Sequence, residues 1–215
     1  MVAKFITVEG TEGVGKTTNI NFIKSWLRQK EVKFVATREP GGTPLAEEIR
    51  DLLLKPRDEL VVSSAELLLM FAGRAQHLNK VILPALQADT WVLCDRFTDA
   101  TYAYQGFGRQ MSSELIVQLE NIVQGDIRPD LTLLLDIPVE IGLERANDRG
   151  DPDRFEQEQQ DFFNRVRAGY LSLANENSDR YVVIDASQEL QGVQTDIALA
   201  LDAFFYKSLG HEEDD

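Results

Sequence analysis

The residues with the clearest chemical purpose lie between positions 10 and 17. Gly10-Thr11-Glu12-Gly13-Val14-Gly15-Lys16-Thr17 fits G-x-x-x-x-G-K-[ST] without deviation. Glycine at 10, 13 and 15 lets backbone N–H groups turn toward an anion with no Cβ in the way. A helix starting at this point adds the partial positive charge of its N-terminus. Lys16 then reaches the β- and γ-phosphates of a nucleoside triphosphate, and the Thr17 hydroxyl is placed to ligate Mg²⁺. A chance glycine turn would not also have an apolar strand before it and an amphipathic helix after it.

A loop of this kind needs a parallel sheet behind it. Five apolar runs read as buried strands: KFITVE (4–9), VKFVATR (32–38), WVLCD (91–95), LTLLLD (131–136) and YVVID (181–185). Between them come amphipathic stretches read as helices over 17–30, 44–54, 64–87, 112–123, 138–147, 156–175 and 188–204. Thr43 is the expected cap and Pro44 the first-turn residue of the second helix, and Pro84 is expected to bend the third. Alternation of strand and helix predicts an α/β fold of the P-loop NTPase type, a parallel sheet of about five strands with helices on both faces. Ligands in such sheets sit beyond the carboxyl ends of the strands, where Glu9, Asp95, Asp136 and Asp185 stand.

The 215 residues are read as one domain. Residues 145–155 form a polar, Gly- and Pro-containing segment read as a mobile lid, and 207–215 are read as a frayed acidic tail. A net charge of -14 argues against nucleic-acid binding, so an anionic ligand needs a local positive pocket. Cys94 is the only cysteine and lies in an apolar strand, which reads as packing rather than reactivity. No run approaches the roughly 20 apolar residues of a membrane span, and a cytoplasmic protein is expected.

Other segments narrow the chemistry. VEGTEGVGKTT, TREPGGT, FAGRAQH, CDRFTDATYAYQG, RPDLTLLLD and DRFEQEQQDFFNRVR occur in this order, and together they resemble the bacterial thymidylate kinases from about residue 4 to about residue 186. The resemblance implies transfer of the ATP γ-phosphoryl group to dTMP, with Mg²⁺ and in a homodimer. It implies that Arg96 and Arg50 hold the acceptor phosphate, a task suited to guanidinium forks. It implies that Arg74 donates to thymine O4, that Thr101 and Gln105 reach the N3 and O2 edge, and that Glu39 orders the pocket. Met70 or Phe71 would face the base, since the helical spacing admits either. Glu12 would lie near the acceptor sugar and the metal, with Asp95 supporting Mg²⁺ through water.

On their own patterns, Arg50 also reads as a solvated helix charge and Phe71 as core filler. Tyr102, Tyr104 and His77 read as packing or surface residues. In this family the cation over the moving phosphoryl group comes from the phosphate loop or from the lid. The loop here has no arginine, so the resemblance implies the lid type, with Arg145, Arg149 and Arg154 as candidates and Arg149 as the principal one. A kinase for another monophosphate and a nucleotide-dependent switch are the alternatives.

Overall fold

The computed structural model describes residues 2–147 and 153–210. Its five strands are β1 (Phe5–Glu9), β2 (Phe34–Arg38), β3 (Trp91–Asp95), β4 (Leu131–Asp136) and β5 (Tyr181–Asp185). They pair in the order β2-β3-β1-β4-β5, all in parallel. β1 is therefore central, with β3 on one side and β4 on the other. This is where the chain changes direction across the sheet, and it is where a cleft opens at the strand ends. Register places Val8 beside Asp95 and Arg38 beside Asp95, so three strands deliver polar residues to one edge.

Strand residues alternate between two cores, as a period of two requires. Ile6, Val8, Trp91, Leu93, Leu133 and Leu135 face a core built with α1 (Lys16–Gln29) and α9 (Leu190–Ser208). Phe5, Val92 and Cys94 face the other side, against Leu78, Ile82 and Phe97. The Cys94 thiol is fully buried, donates to the Arg96 carbonyl, and is pushed up well above its ordinary pKa by burial. It is the packing residue expected.

The helices α2 (Pro44–Leu54), α3 (Ser63–His77), α6 (Ser113–Val123), α7 (Val139–Asn147) and α8 (Gln160–Glu176) complete the cover. Thr43 caps α2 by accepting from the Ala46 N–H at 3.2 Å, with Pro44 in the first turn. The third predicted helix divides earlier than Pro84. A π-helical turn at Leu78–Ile82 separates α3 from the short α4 (Leu83–Gln87), because the widened turn accommodates the proline ring and its missing N–H.

Two further departures matter for the site. The segment after β3 is helical, α5 (Thr98–Thr101) running into a π-helical stretch at Tyr102–Gly108 that packs on α8. And α8 starts at Gln160, four residues later than expected. The Asp153 carboxylate accepts the N–H groups of Phe155 and Glu156, while Glu156 accepts the N–H of Asp153. That reciprocal pattern closes a separate turn at Asp153–Glu156, ahead of the helix. At the other end, α9 continues through Ser208, two residues into the segment read as a tail; positions 211–215 lie outside the described residues. Among the described residues no helix is long and apolar enough to cross a membrane.

Candidate active site

The phosphate loop joins β1 to α1. Gly15 occupies the N-cap with φ 82°, a left-handed conformation that a side chain would strain. Lys16 opens the helix and donates to the Gly10 and Thr11 carbonyls at 3.2 and 3.0 Å. Burial, followed by the nearby Arg96 charge, lowers its pKa. Thr17 is exposed in the first turn of α1, at the cleft. Val14 instead packs into the main core and braces the loop from below.

Beyond the loop the cleft holds about 300 Å³, at the lower end of ordinary small-ligand sites. Arg96 stands at its centre with φ 67°, a left-handed backbone uncommon for a non-glycine residue. Its guanidinium donates to Glu12 Oε1 at 2.7 Å and to the Tyr170 hydroxyl at 3.1 Å, and lies 4.8 Å over the Tyr104 ring. Tyr104 also donates to Glu12 Oε1, at 2.9 Å. Tyr170 passes the chain of bonds on to Glu9 Oε2 at 2.8 Å. The guanidinium is thus held by three residues, Glu12, Tyr170 and Tyr104, and the fork is presented with little freedom to move.

Arg50 reaches in from α2, donating to the Pro40 carbonyl at 2.8 Å, and burial lowers its pKa. It lines the cleft together with Arg38, which pairs with Glu47. Four arginines of a chain carrying -14, these three and Arg74, therefore line one cavity. Arg38 was inside a quoted motif but carried no role, since an arginine ending an edge strand has no distinctive pattern.

The far wall carries buried hydrogen-bonding groups. Arg74 donates through Nε to Glu39 Oε2 at 2.8 Å and through Nη2 to Thr101 Oγ1 at 2.9 Å. Its Nη1 is buried and has no hydrogen-bond partner among the described residues. Gln105 donates through Nε2 to Glu66 Oε1 at 2.8 Å, and its Oε1 is likewise buried and unpartnered. One donor and one acceptor are left over, each of which costs about 1–3 kcal/mol if nothing meets it.

Met70 lines the cleft, whereas Phe71 is 2 % exposed, clustered with Leu67 and Ile116, and carries the Arg74 guanidinium 4.8 Å over its ring. His77 is fully buried and bridges Thr37 and Glu39, so it is a core residue rather than a surface one. Tyr104, read as packing, is both packing and part of the cleft wall. Tyr170 carried no sequence signal, because its partner Arg96 is 74 residues away.

Of the acidic strand ends, Asp95 lines the cleft with a buried Oδ1 that has no hydrogen-bond partner among the described residues. Asp136 is engaged by Arg167 at 2.7 and 2.8 Å, and Asp185 is exposed and caps Ser187. Of the lid arginines, Arg149 lies outside the described residues. Arg145 is exposed on α7 and donates to the Ala186 carbonyl at 3.1 Å. Arg154 is tied down, donating to the Leu53 carbonyl at 2.7 Å and pairing with Glu66 at 2.7 Å.

Comparison with known proteins accounts for this arrangement. The thymidylate kinase family model matches residues 8–197. A thymidylate kinase of Teredinibacter turnerae is 60 % identical over 204 residues, covering 95 % of this chain and all of the relative. One from Pseudomonas putida is 56 % identical over 210 residues, covering 98 % and all of the relative. The crystal structure of thymidylate kinase from Ehrlichia chaffeensis superimposes with a TM-score of 0.77 at 34 % identity, covering 94 % of this chain and all of that one. With the match running from inside β1 to within α9, and leaving neither the phosphate loop nor the arginine-lined wall outside it, the chain belongs to the thymidylate kinase family.

Proposed function

We infer that the chain transfers the γ-phosphoryl group of ATP to dTMP, giving ADP and dTDP on the route to dTTP. The observation that carries the choice of acceptor is the unpartnered pair on the far wall. Arg74 Nη1 offers a donor and Gln105 Oε1 an acceptor. Thymine presents O4 beside N3–H, the complementary order; cytosine presents an amino group beside a bare N3, the reverse. Mismatching such groups leaves buried polar atoms unpaired and discriminates strongly.

Residue roles follow from the same layout. The loop from Gly10 through Thr11, Glu12, Gly13, Val14 and Gly15 to Lys16 and Thr17 holds the ATP phosphates. Arg96 and Arg50 hold the acceptor phosphate as guanidinium forks, with Glu12 keeping Arg96 in place at 2.7 Å. Met70 lies against the base, Thr101 and Glu39 fix Arg74, and Gln105 reads N3–H. Charge neutralisation at the transferring group falls to Lys16, Arg96 and Arg149, since phosphoryl transfer is mainly positioning and electrostatics.

The donor set suits magnesium. Asp95 Oδ1 is a buried oxygen with no partner among the described residues, and Thr17 is exposed at the helix start; carboxylate and hydroxyl oxygens are both hard ligands. Among the described residues no cluster of three metal-ligating side chains occurs, and magnesium is commonly held by one or two protein oxygens with phosphates and water. Bound there, the metal supplies neutralisation of the β- and γ-phosphate oxygens.

The acidic surface supports a protein that does not bind nucleic acid, and a single buried free thiol suits a reducing compartment such as the cytoplasm. Large apolar side chains exposed on the packed pair α3 and α6, Leu68 with Leu115 and Ile122, support a homodimer through these helices. The reaction is tested by coupled ADP release over dTMP, dUMP, dCMP and AMP. dTMP is expected to give the highest kcat/KM, with dCMP rejected by at least about 10²-fold. Preference for another monophosphate overturns the acceptor, and ATP binding without any dTMP phosphorylation favours a switch protein.

A further inference from the structure

Gln105 can serve as an acceptor only if its amide is held one way round. A glutamine amide is nearly symmetric in shape, and rotating it by half a turn exchanges carbonyl for NH₂. What removes the symmetry here is Glu66, on α3. It is 0 % exposed, and its Oε1 receives the Gln105 Nε2–H at 2.8 Å. A carboxylate only accepts, so the NH₂ must face it and the carbonyl must face away.

We propose that Glu66 is the positioning residue that sets the specificity of the cleft, by orienting Gln105 so that its carbonyl meets an N–H on the acceptor base. The proposal rests on the acceptor reading above. The carboxylate is itself held in place. Arg109 donates to both its oxygens at 3.3 and 3.2 Å, and Arg154 pairs with Oε2 at 2.7 Å. Arg109 is balanced in turn by Glu158 at 2.5 Å. Two guanidiniums offset the cost of a fully buried charge, so a carboxylate can persist there, whereas an amide would give up the ion pairs with both arginines. The anchoring spans α3, the Tyr102–Gly108 segment and the turn after residue 152. The orientation of one base-reading amide thereby depends on residues at the end of the predicted lid.

Glu66→Gln can accept or donate, so Gln105 is free to flip. The expected result is a rise of about tenfold in KM for dTMP, little change in KM for ATP, and a kcat at saturating dTMP within about threefold. The deciding measurement is a double-mutant cycle with Gln105→Ala. If Glu66 acts through Gln105, adding Glu66→Gln to Gln105→Ala leaves KM for dTMP unchanged. Independent, multiplying effects overturn the proposal, because a general loss of structure would not depend on Gln105. If Gln105→Ala alone leaves KM for dTMP unmoved, the acceptor reading fails and the proposal with it. Should Glu66→Gln not fold, the parent protein still decides. Its Gln105 side-chain N–H protons are expected to exchange with solvent at least about tenfold more slowly than those of an exposed glutamine. Exchange at the exposed rate overturns the proposal.

Discussion

Gly13 of the phosphate loop and Gly142 of α7 meet backbone to backbone. A Cβ built on Gly13 would lie 1.9 Å from the Gly142 carbonyl oxygen, and one built on Gly142 would lie 2.6 Å from the Glu12 carbonyl oxygen. Neither neighbour is a side chain that can swing away. The helix leading to residue 148 is therefore seated directly on the loop that grips ATP, and glycine is required on both sides. Gly142→Ala is expected to push α7 off the loop at a cost of about 1–3 kcal/mol, read as a lower Tm. The same shift disturbs the phosphate loop itself, so kcat should fall by more than KM for dTMP rises. An unchanged Tm together with an unchanged kcat would show that α7 and the loop are not packed this closely.

The lid arginines are separable by what already holds them. Arg154 spends its guanidinium on Leu53 and Glu66 and lies 4.5 Å over the Phe155 ring. A cation so engaged serves structure. Arg149→Ala is expected to bind both nucleotides and lose about 10²- to 10³-fold in kcat. Arg154→Ala is expected to act mainly on Tm and on KM for dTMP. A kcat for Arg149→Ala within about threefold of the parent transfers the role elsewhere, and Arg145 is then the next variant to measure.

The inner strands β1, β3 and β4 were legible because strands buried on both faces read as unbroken apolar runs; the edge strands β2 and β5, expected to be buried, are partly exposed, yet all five were found to within two residues of their ends. The phosphate loop was legible because its spacing is local. What escaped the sequence depends on distance. Tyr170 joins Arg96 across 74 residues and Gln105 joins Glu66 across 39. No window reveals that a helix tyrosine orients an arginine, or that a buried glutamate sets an amide. The stretch 98–108 escaped for another reason. It mixes α- and π-helical turns, and apolar periodicity is defined for only one of them.

Met70 and Phe71 illustrate a choice that spacing left open and packing decides. Phe71 is buried between Leu67 and Ile116 and supports Arg74 from beneath, while Met70 faces the cleft. Phe71→Ala is expected to cost about 3–5 kcal/mol of stability, through the cavity and the lost contact with the guanidinium. Met70→Ala is expected to leave Tm within a few degrees and raise KM for dTMP severalfold. Thermal melts and initial rates on both variants check this. A large Tm loss for Met70→Ala with an unmoved KM would reverse the assignment.

Glu9 gives the fold a pH dependence that carboxylates seldom produce. It ends β1, is fully buried, and accepts from the Phe97 N–H at 2.7 Å and from the Tyr170 hydroxyl. Burial, and then the nearby Asp99 charge, push its pKa up to about 8. In the unfolded chain the group titrates near 4.5, so between those values the folded state binds the extra proton. Stability from this group is fully present below about pH 4.5 and is lost as pH rises through about 8. Glu9→Gln keeps a neutral side chain of the same shape and removes the titration. The parent Tm is thus expected to decline between about pH 5 and pH 8 more steeply than that of Glu9→Gln. Parallel Tm profiles over that range would mean that Glu9 enters the fold as an ordinary carboxylate, with Arg96 close enough to hold its charge.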